Sequence, residues 1–282
     1  MDISAHNKIF STKLSDEEFK RLSVFINTNF GIKMPPEKKT MLQSRLQKRL
    51  RDLNIATFKE YIDVVFTEKG ESSELIHMID VVTTNKTDFF REPAHFDFIS
   101  REVLPELAIN RQIKVWSAGC SSGEEVYTIA IVLKEFMLNG TRFDFQILGT
   151  DISSRILTKA VNAIYPEDRI FNIPIELKKK YFLKSKERIN PTVRVAKELR
   201  GKAYYQRLNF IDEEYNAVRD MFDIIFCRNV LIYFDRPTQE KVIRRLCQKL
   251  KYGGYFFLGH SESIMGMNLP LKQIRPTIFK KI

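Results

Sequence analysis

Gly119 and Gly123 bracket a run of small residues, Cys120, Ser121 and Ser122, between an apolar stretch, residues 113–117, and an amphipathic one that opens at Glu124 and Glu125. That order reads as a strand passing through a tight turn into a helix, and glycines there let a ligand approach the backbone where a Cβ would block it. Two glycines four apart also occur in ordinary turns. A second element adds to the signal: Gly149, Thr150 and Asp151 place an acid at the carboxyl end of the next apolar run, where a carboxylate accepts hydrogen bonds from ribose hydroxyls. Asp151 can equally act as the N-cap of the following helix; turn and acid together point to a nucleoside. The spacing lacks the three glycines of a dinucleotide fingerprint, and no Walker lysine follows. A nucleoside without phosphates fits better, and S-adenosylmethionine is the common one.

Other residue types with chemical potential read more simply as structure. Cys120, Cys227 and Cys247 contain no CxxC pair and are too scattered for a zinc quartet or a disulfide framework. Cys227, at the end of an apolar run, reads as a buried thiol rather than a nucleophile. Cys120 lines the turn either as a pocket wall or as filling. His260 reads as a loop histidine or a residue bordering the site. His6, His77 and His95 show no ligand spacing, and no metal is expected. Phe89, Phe90 and Trp116 read as core or domain-interface residues.

Four ordered motifs carry a resemblance to a known family. Residues 84–92 (Thr-Asn-Lys-Thr-Asp-Phe-Phe-Arg-Glu), 116–125 (Trp-Ser-Ala-Gly-Cys-Ser-Ser-Gly-Glu-Glu), 149–153 (Gly-Thr-Asp-Ile-Ser) and 226–234 (Phe-Cys-Arg-Asn-Val-Leu-Ile-Tyr-Phe) together resemble the CheR family, the chemoreceptor glutamate O-methyltransferases. Residues 258–263, Leu-Gly-His-Ser-Glu-Ser, are also similar to the family pattern, and the resemblance covers nearly the whole chain. It implies S-adenosylmethionine as cofactor, leaving as S-adenosylhomocysteine, with contacts carried over to Asn85, Thr87, Arg91, Glu125, Asp151, Asn209, Phe210, Arg228 and Asn229. Phe210 stands where a leucine is often found. Asp151 would hold the ribose, Asn209 and its neighbour the adenine edge, and Arg91, Thr87 and Glu125 the methionine end. Arg91 and Tyr233 would border the reacting methyl group.

The resemblance also implies a partner: glutamate- and glutamine-rich cytoplasmic helices of methyl-accepting chemotaxis receptors. The stretch presenting Lys38, Arg45, Lys48 and Arg49 would dock beside them, although a solvated helix face explains such a stripe equally well. Some members use the inserted subdomain to bind a receptor tail and carry a glycine-rich loop there. Residues 183–191 have no glycine, so tail tethering is not expected. The alternatives are an RNA methyltransferase on the same fold, which the absent Asn/Asp-Pro-Pro-aromatic motif disfavours, and a non-enzymatic cofactor-sensing module.

The elements that must position these residues follow from changes of period. The first ninety residues read as helices: Ser15 and Glu18 form a capping box, Pro35 and Pro36 break the chain, and a helix over 37–53 sets Leu42, Leu46, Leu50 and Leu53 on one arc. Two more helices, 57–66 and 73–82, turn Phe58, Tyr61, Ile62, Val65, Leu75, Ile76 and Ile79 toward a small core. After residue 110, short apolar runs alternate with helical stretches, the pattern of a parallel α/β sheet. Strands are expected at 113–117, 145–149, 203–208, 222–227 and 255–259, with a final pair through Ile274 and Ile278; helices are expected at 124–138, 153–163 and 238–250. About forty residues separate the helix ending near Ala163 from the strand at Ala203, far more than the usual connection of about two to six. An insert with a helical stretch at 175–184 and an alternating Val193, Arg194, Val195 fills that gap. The fold class is therefore α/β, a Rossmann-like class I methyltransferase sheet with a small inserted β-subdomain, preceded by an all-α domain. The expected boundaries are 1–83 for the helical domain, 84–112 for a linker contributing cofactor contacts, 113–282 for the methyltransferase domain, and 166–202 for its insert.

Composition bounds the rest. The chain has 282 residues, 44% hydrophobic and 29% charged, with 22 Phe and 10 Tyr, which excludes general disorder. No apolar run reaches the roughly 20 residues of a bilayer span and no secretory leader is visible, so a cytoplasmic protein without direct membrane insertion is expected. The net charge of +11 first suggests nucleic acid. Its excess is local, in Lys33, Lys38, Lys39, Arg45, Lys48, Arg49 and Arg51 and again in the insert, and either patch suits any polyanion. With a receptor helix as partner, no nucleic acid is expected.

Overall fold

The first helix starts where the capping box places it. In the computed structural model, which describes residues 12–67, 73–83, 86–107 and 111–282, Ser15 Oγ accepts from the Glu18 amide at 3.2 Å and the Glu18 carboxylate accepts from the Ser15 amide at 2.8 Å. Helix α1 (Asp16–Phe30) buries Phe19, Leu22, Ile26 and Phe30 and ends at Gly31, whose φ of 69° closes the turn. Pro36–Lys38 forms a single 3₁₀ turn before α2 (Lys39–Asp52), which buries Leu42, Leu46 and Leu50. Leu53 leaves the expected arc: it is the C-cap, 36% exposed, and the chain reverses at Asn54 with φ 56°. Helices α3 (Phe58–Thr67) and α4 (Ser73–Val82) complete the bundle, α3 burying Phe58, Tyr61, Ile62 and Val65. On α4 the inward face belongs to Glu74, Met78, Ile79 and Val82, while Leu75 and Ile76 are half-buried. A charged side chain on the inner face rotates the expected apolar stripe.

The chain divides into two compact units, Met1–Thr84 with Tyr233–Asp235, and Asn85–Ile232 with Arg236–Ile282. Residues 86–107 fold within the second unit as more than a connector. α5 (Ala94–Phe98), a π-helical stretch (Ile99–Val103) and α6 (Leu104–Leu107) bury Phe96, Phe98, Ile99, Val103 and Leu104.

The sheet of this unit follows the alternation of apolar runs. β1 (Gln112–Ala118), α7 (Glu124–Leu138), β2 (Asp144–Asp151) and α8 (Ser154–Asn162) make the first crossovers. The insert then places β3 (Ile164–Pro166), α9 (Ile175–Tyr181), β4 (Phe182–Lys184) and β5 (Thr192–Val195) in a separate antiparallel sheet of order β3-β5-β4. The helix expected to reach residue 184 stops at Tyr181, because Phe182 turns extended to pair with Val195. After α10 (Lys197–Arg200) come β6 (Ala203–Arg207), β7 (Phe222–Cys227), α11 (Arg236–Lys249), β8 (Leu250–Leu258), β9 (Leu271–Arg275) and β10 (Ile278–Lys281).

The seven strands of the main sheet run β6-β2-β1-β7-β8-β10-β9, the first five parallel and β10 antiparallel to both neighbours. Strand order reverses between β1 and β7, and the crevice beyond the carboxyl ends of such strands is where open α/β sheets bind ligands. β7 is buried along its whole length, and Phe226 stacks on Phe257 of β8 at 4.6 Å between ring centroids. Burying such a ring contributes about 1.5–3 kcal/mol. This rigid center fixes the loops that leave it.

Candidate active site

Five turns lie at the carboxyl ends of β1, β2, β7 and β8 or just before α5, and three of them carry residues with positive φ: Phe90 and Glu92, Gly119 with Ser121 and Gly123, and Asn229. Backbone strain of this kind persists where the surroundings over-determine it. At Gly119, φ 88°, an added Cβ would fall 2.2 Å from Val230 Cγ2. At Gly149, which ends the β2 run, it would fall 2.6 Å from the Tyr205 ring and 3.0 Å from Cys120 Sγ. The first glycine keeps the β1 turn close to the loop after β7; the second lets Tyr205 and Cys120 pack against β2. The space over both glycines is thus taken by protein side chains, which close the turns on their neighbors.

Asp151 closes β2, 8% exposed, its Oδ2 accepting from the Ser121 amide and its Oδ1 from the Ser153 amide, both at 3.0 Å. The N-cap of α8 is Ser153, whose Oγ accepts from the Ile156 amide, so Asp151 is not that cap. The carboxylate instead ties the β1 turn to the β2 end. Asn209 and Phe210 follow β6: Asn209 is half-buried and accepts from the Ile211 amide at 3.4 Å, and buried Phe210 offers its carbonyl to Tyr215 Oη at 2.8 Å.

An ionic network occupies the center. Arg228, 6% exposed, meets Glu125 Oε2 through Nη1 at 3.0 Å and Glu92 Oε2 through Nη2 at 3.0 Å, and donates to the Arg91 carbonyl. Ser117 Oγ donates to Glu125 Oε1 at 2.7 Å. Burial lifts the Glu125 carboxyl above its ordinary range, with Arg228 and Ser117 opposing. At Glu92 burial also pushes upward, but the charge of Arg228 and the His260 amide outweigh it and hold the carboxyl below the ordinary range. Arg91 is half-buried and donates from Nη1 to the Lys86 carbonyl at 3.1 Å. The Thr87 carbonyl accepts from Arg169, which also pairs with Glu124 at 3.0 Å and with Asp88 at 3.1 Å. Asn85 lies outside the described residues.

Tyr233 groups with the first unit: its carbonyl accepts from the Lys33 amide at 2.9 Å, and Lys38 Nζ lies 5.8 Å from its ring. The four residues expected to dock a partner divide. Lys48 is exposed and Lys38 half-buried. Arg45 donates to the carbonyls of Val81, Val82 and Thr83 at 3.3, 2.5 and 3.2 Å, closing the C-terminal end of α4. Arg49 makes a bidentate pair with buried Glu74, and Glu74 also accepts from Tyr61 Oη at 2.8 Å. These two arginines hold the bundle together.

Two groups escaped the motif reading. Glu262, 9% exposed, gathers the amides of Asn229 (2.9 Å), Val230 (2.8 Å), Leu231 (2.7 Å) and Gly259 (2.8 Å) on one carboxylate, fixing the loop that carries Asn229. The acid stands in the 258–263 motif, which was the available signal. Glu92, His95 and His260 also come together, with ligand-type atoms all within 4.8 Å of one another. Residues 165 apart in sequence give no spacing to read. The cysteines Cys120, Cys227 and Cys247 are buried, and burial raises each thiol. None has the depressed pKa of a nucleophile. Trp116 is core, its indole donating to Thr150 Oγ1 at 2.9 Å, and Phe89 packs edge-on to Tyr165 and Phe182.

Comparison with known proteins agrees with this arrangement. Residues 17–83 match the family model described as the CheR methyltransferase all-alpha domain, and residues 85–279 match that of the CheR methyltransferase SAM binding domain. The chain is 42% identical over 276 residues to the chemotaxis protein methyltransferase of Borreliella burgdorferi, covering 95% of each. It is 40% identical over 253 residues to that of Klebsiella aerogenes, covering 89% of this chain and 84% of the other. It is 35% identical over 250 residues to that of Escherichia coli, covering 89% and 85%. A helical bundle, a sheet with its crevice at the strand reversal, and motif and relative matches along nearly the full length lead to one assignment: the chain belongs to the CheR family of S-adenosylmethionine-dependent chemotaxis methyltransferases.

Proposed function

We propose that this protein transfers the methyl group of S-adenosylmethionine to glutamate side chains on the cytoplasmic helices of chemoreceptors, forming glutamyl methyl esters. The observation that carries the reading is the convergence of the Gly119 turn, Asp151 and the Arg228–Glu125 pair at the carboxyl ends of neighboring strands. Asn85, Thr87, Arg91, Glu125, Asp151, Asn209, Phe210, Arg228 and Asn229 would hold the cofactor, with Asp151 on the ribose and Glu125 toward the methionine amine. Bound S-adenosylmethionine supplies an electrophilic methyl group on a sulfonium.

The protein's own share of the chemistry is then positioning. A glutamate side chain, with a free pKa of about 4.3, is ionized at neutral pH, so no general base is required. Rate comes from alignment and from water removed around the carboxylate. Arg91 and Tyr233, assigned by the family resemblance, orient the carboxylate by hydrogen bonds without holding it so tightly that it loses nucleophilicity. On the helical domain, Lys48 with Lys38 offers positive charge to an acidic receptor helix. A cytoplasmic location follows from that partner; among the described residues no helix is long and apolar enough to cross a membrane.

The test is transfer of labeled methyl from S-adenosylmethionine to receptor-containing membranes, with cellular RNA in parallel, followed by mild alkali. Label released as methanol from membrane protein is the expected result. Alkali-stable label in RNA, or no transfer to either, would overturn the assignment.

A further inference from the structure

His95 holds an imidazole nitrogen that has no hydrogen-bond partner although it is buried. The residue is 1% exposed, its Nε2 lies 2.8 Å from Thr277 Oγ1, and its Nδ1 is unpartnered. Thr277 Oγ1 donates its own hydrogen to the Pro276 carbonyl at 2.7 Å. In the tautomer with the proton on Nε2 the hydroxyl accepts from His95, and Nδ1 carries a bare lone pair. That lone pair faces an anion: Nδ1 is 3.6 Å from Glu92 Oε2. A second imidazole approaches the same oxygen, His260 Nε2 at 3.8 Å, from an exposed position open to solvent. In that tautomer the buried Nδ1 lone pair and a half-buried carboxylate oxygen face each other.

A metal cation bound between the three groups would take up the Nδ1 lone pair and the Glu92 charge together. We propose that Glu92, His95 and His260 form a binding site for a late first-row divalent metal ion, zinc foremost, tying the start of α5 to the end of β8. Three features carry this. Neutral imidazole nitrogens with one carboxylate oxygen are a zinc-type donor set rather than a magnesium or calcium one. The Thr277 contact supplies the outer hydrogen bond that orients metal-binding histidines. Donor separations of 3.6 and 3.8 Å to Glu92, with all three ligand atoms within 4.8 Å of one another, close to the roughly 3.4 Å that bonds of about 2.0–2.1 Å impose in a tetrahedron by movement of the exposed His260 ring.

Arg228 does not forbid the ion. It divides one positive charge between Glu92 and Glu125, so Arg228 and the two carboxylates sum to one negative charge. Arg228 occupies one side of Glu92 Oε2, and a carboxylate oxygen has a second lone pair. A solvent molecule completes the fourth position. The ion's role is mechanical: Glu92 follows Arg91 and accepts from Arg228, so a clamp on Glu92 steadies both arginines.

The site is tested by titrating the full-length, metal-stripped protein with cobalt(II) and following four-coordinate absorption, then by zinc competition. The wild type is expected to bind one ion. His260→Gln and His95→Gln should each weaken binding by about tenfold or more, and Thr277→Val by about tenfold. His77→Gln, on the exposed side of α4, should bind like wild type. His260 is exposed, so its variant remains informative should the buried His95 variant fold poorly. Binding no tighter than millimolar in the wild type, or equal affinity in wild type and His260→Gln, would overturn the proposal.

Discussion

A carboxylate that gathers backbone amides does more for a loop than any single contact between side chains. Glu262 accepts four amides from two loops, and Asp151 accepts one from the β1 turn and one from the start of α8. Replacing Glu262 by Gln turns part of that acceptor into a donor facing amides it cannot bond, while keeping shape. The expected loss is about 2–4 kcal/mol, read as a lower urea midpoint; an unchanged midpoint would mean the four contacts are incidental. Asp151→Ala has a different signature. It should lower cofactor affinity by about tenfold to a hundredfold in calorimetry while the far-ultraviolet spectrum stays native, and an unchanged affinity would remove Asp151 from the ribose. At this scale the sequence was legible where a motif is local: the glycine turn and the acid after β2 stand in their expected places. Glu92 with His95 and His260, and Arg49 with Glu74, were not legible, because contacts between residues distant in sequence leave no period to find.

Elements were legible where burial sets a period. β7 coincides with its expected run because all six residues are buried, and α7 with its own because a helical apolar face spans its length. β8 starts five residues earlier than expected: Leu250 pairs with Phe222 of β7, Lys251, Tyr252, Gly253 and Gly254 bulge out of register with Gly253 at φ 73°, and pairing resumes between Ile224 and Tyr255. Residues 86–107 read as a linker, yet they hold two short helices joined by the π-helical stretch Ile99–Val103. In the helical bundle the charge stripe of α2 proved to be partly internal. Arg49, with its side chain 18% exposed, meets a Glu74 side chain that is 5% exposed, so Arg49→Ala takes the bidentate cation from a buried carboxylate and leaves it the Tyr61 hydroxyl. A loss of about 2–4 kcal/mol from the helical domain is expected in thermal unfolding, partly restored by the double variant Arg49→Met with Glu74→Leu. If the single variant melts like wild type, the pair is not structural.

The molecule as a whole carries +11, and the pairing of those charges decides which of them are left to meet a partner. Much of the insert's charge is answered locally: Lys180 pairs with Glu135, Lys184 with Glu167 and Lys202 with Asp144. Arg194 donates to the Asn162 carbonyl, and Arg200 to that of Val195. On α2, Arg45 and Arg49 are also engaged, which leaves Lys48 as the exposed member of the expected docking set. Reversing Arg45 and Arg49 would damage the bundle and confuse docking with folding, whereas Lys48→Glu changes the field at the surface alone. A rim charge of this kind acts on encounter rate and is screened over about 8–10 Å at physiological salt. Lys48→Glu is therefore expected to lower kcat/KM for receptor membranes by about threefold to tenfold at low salt, with the gap to wild type narrowing as salt rises. Cofactor affinity and thermal midpoint should stay at wild-type values. Equal loss of receptor activity at low and high salt would point to a contact other than charge, and a parallel loss of cofactor affinity would show that α2 acts on the sheet crevice instead of on the receptor.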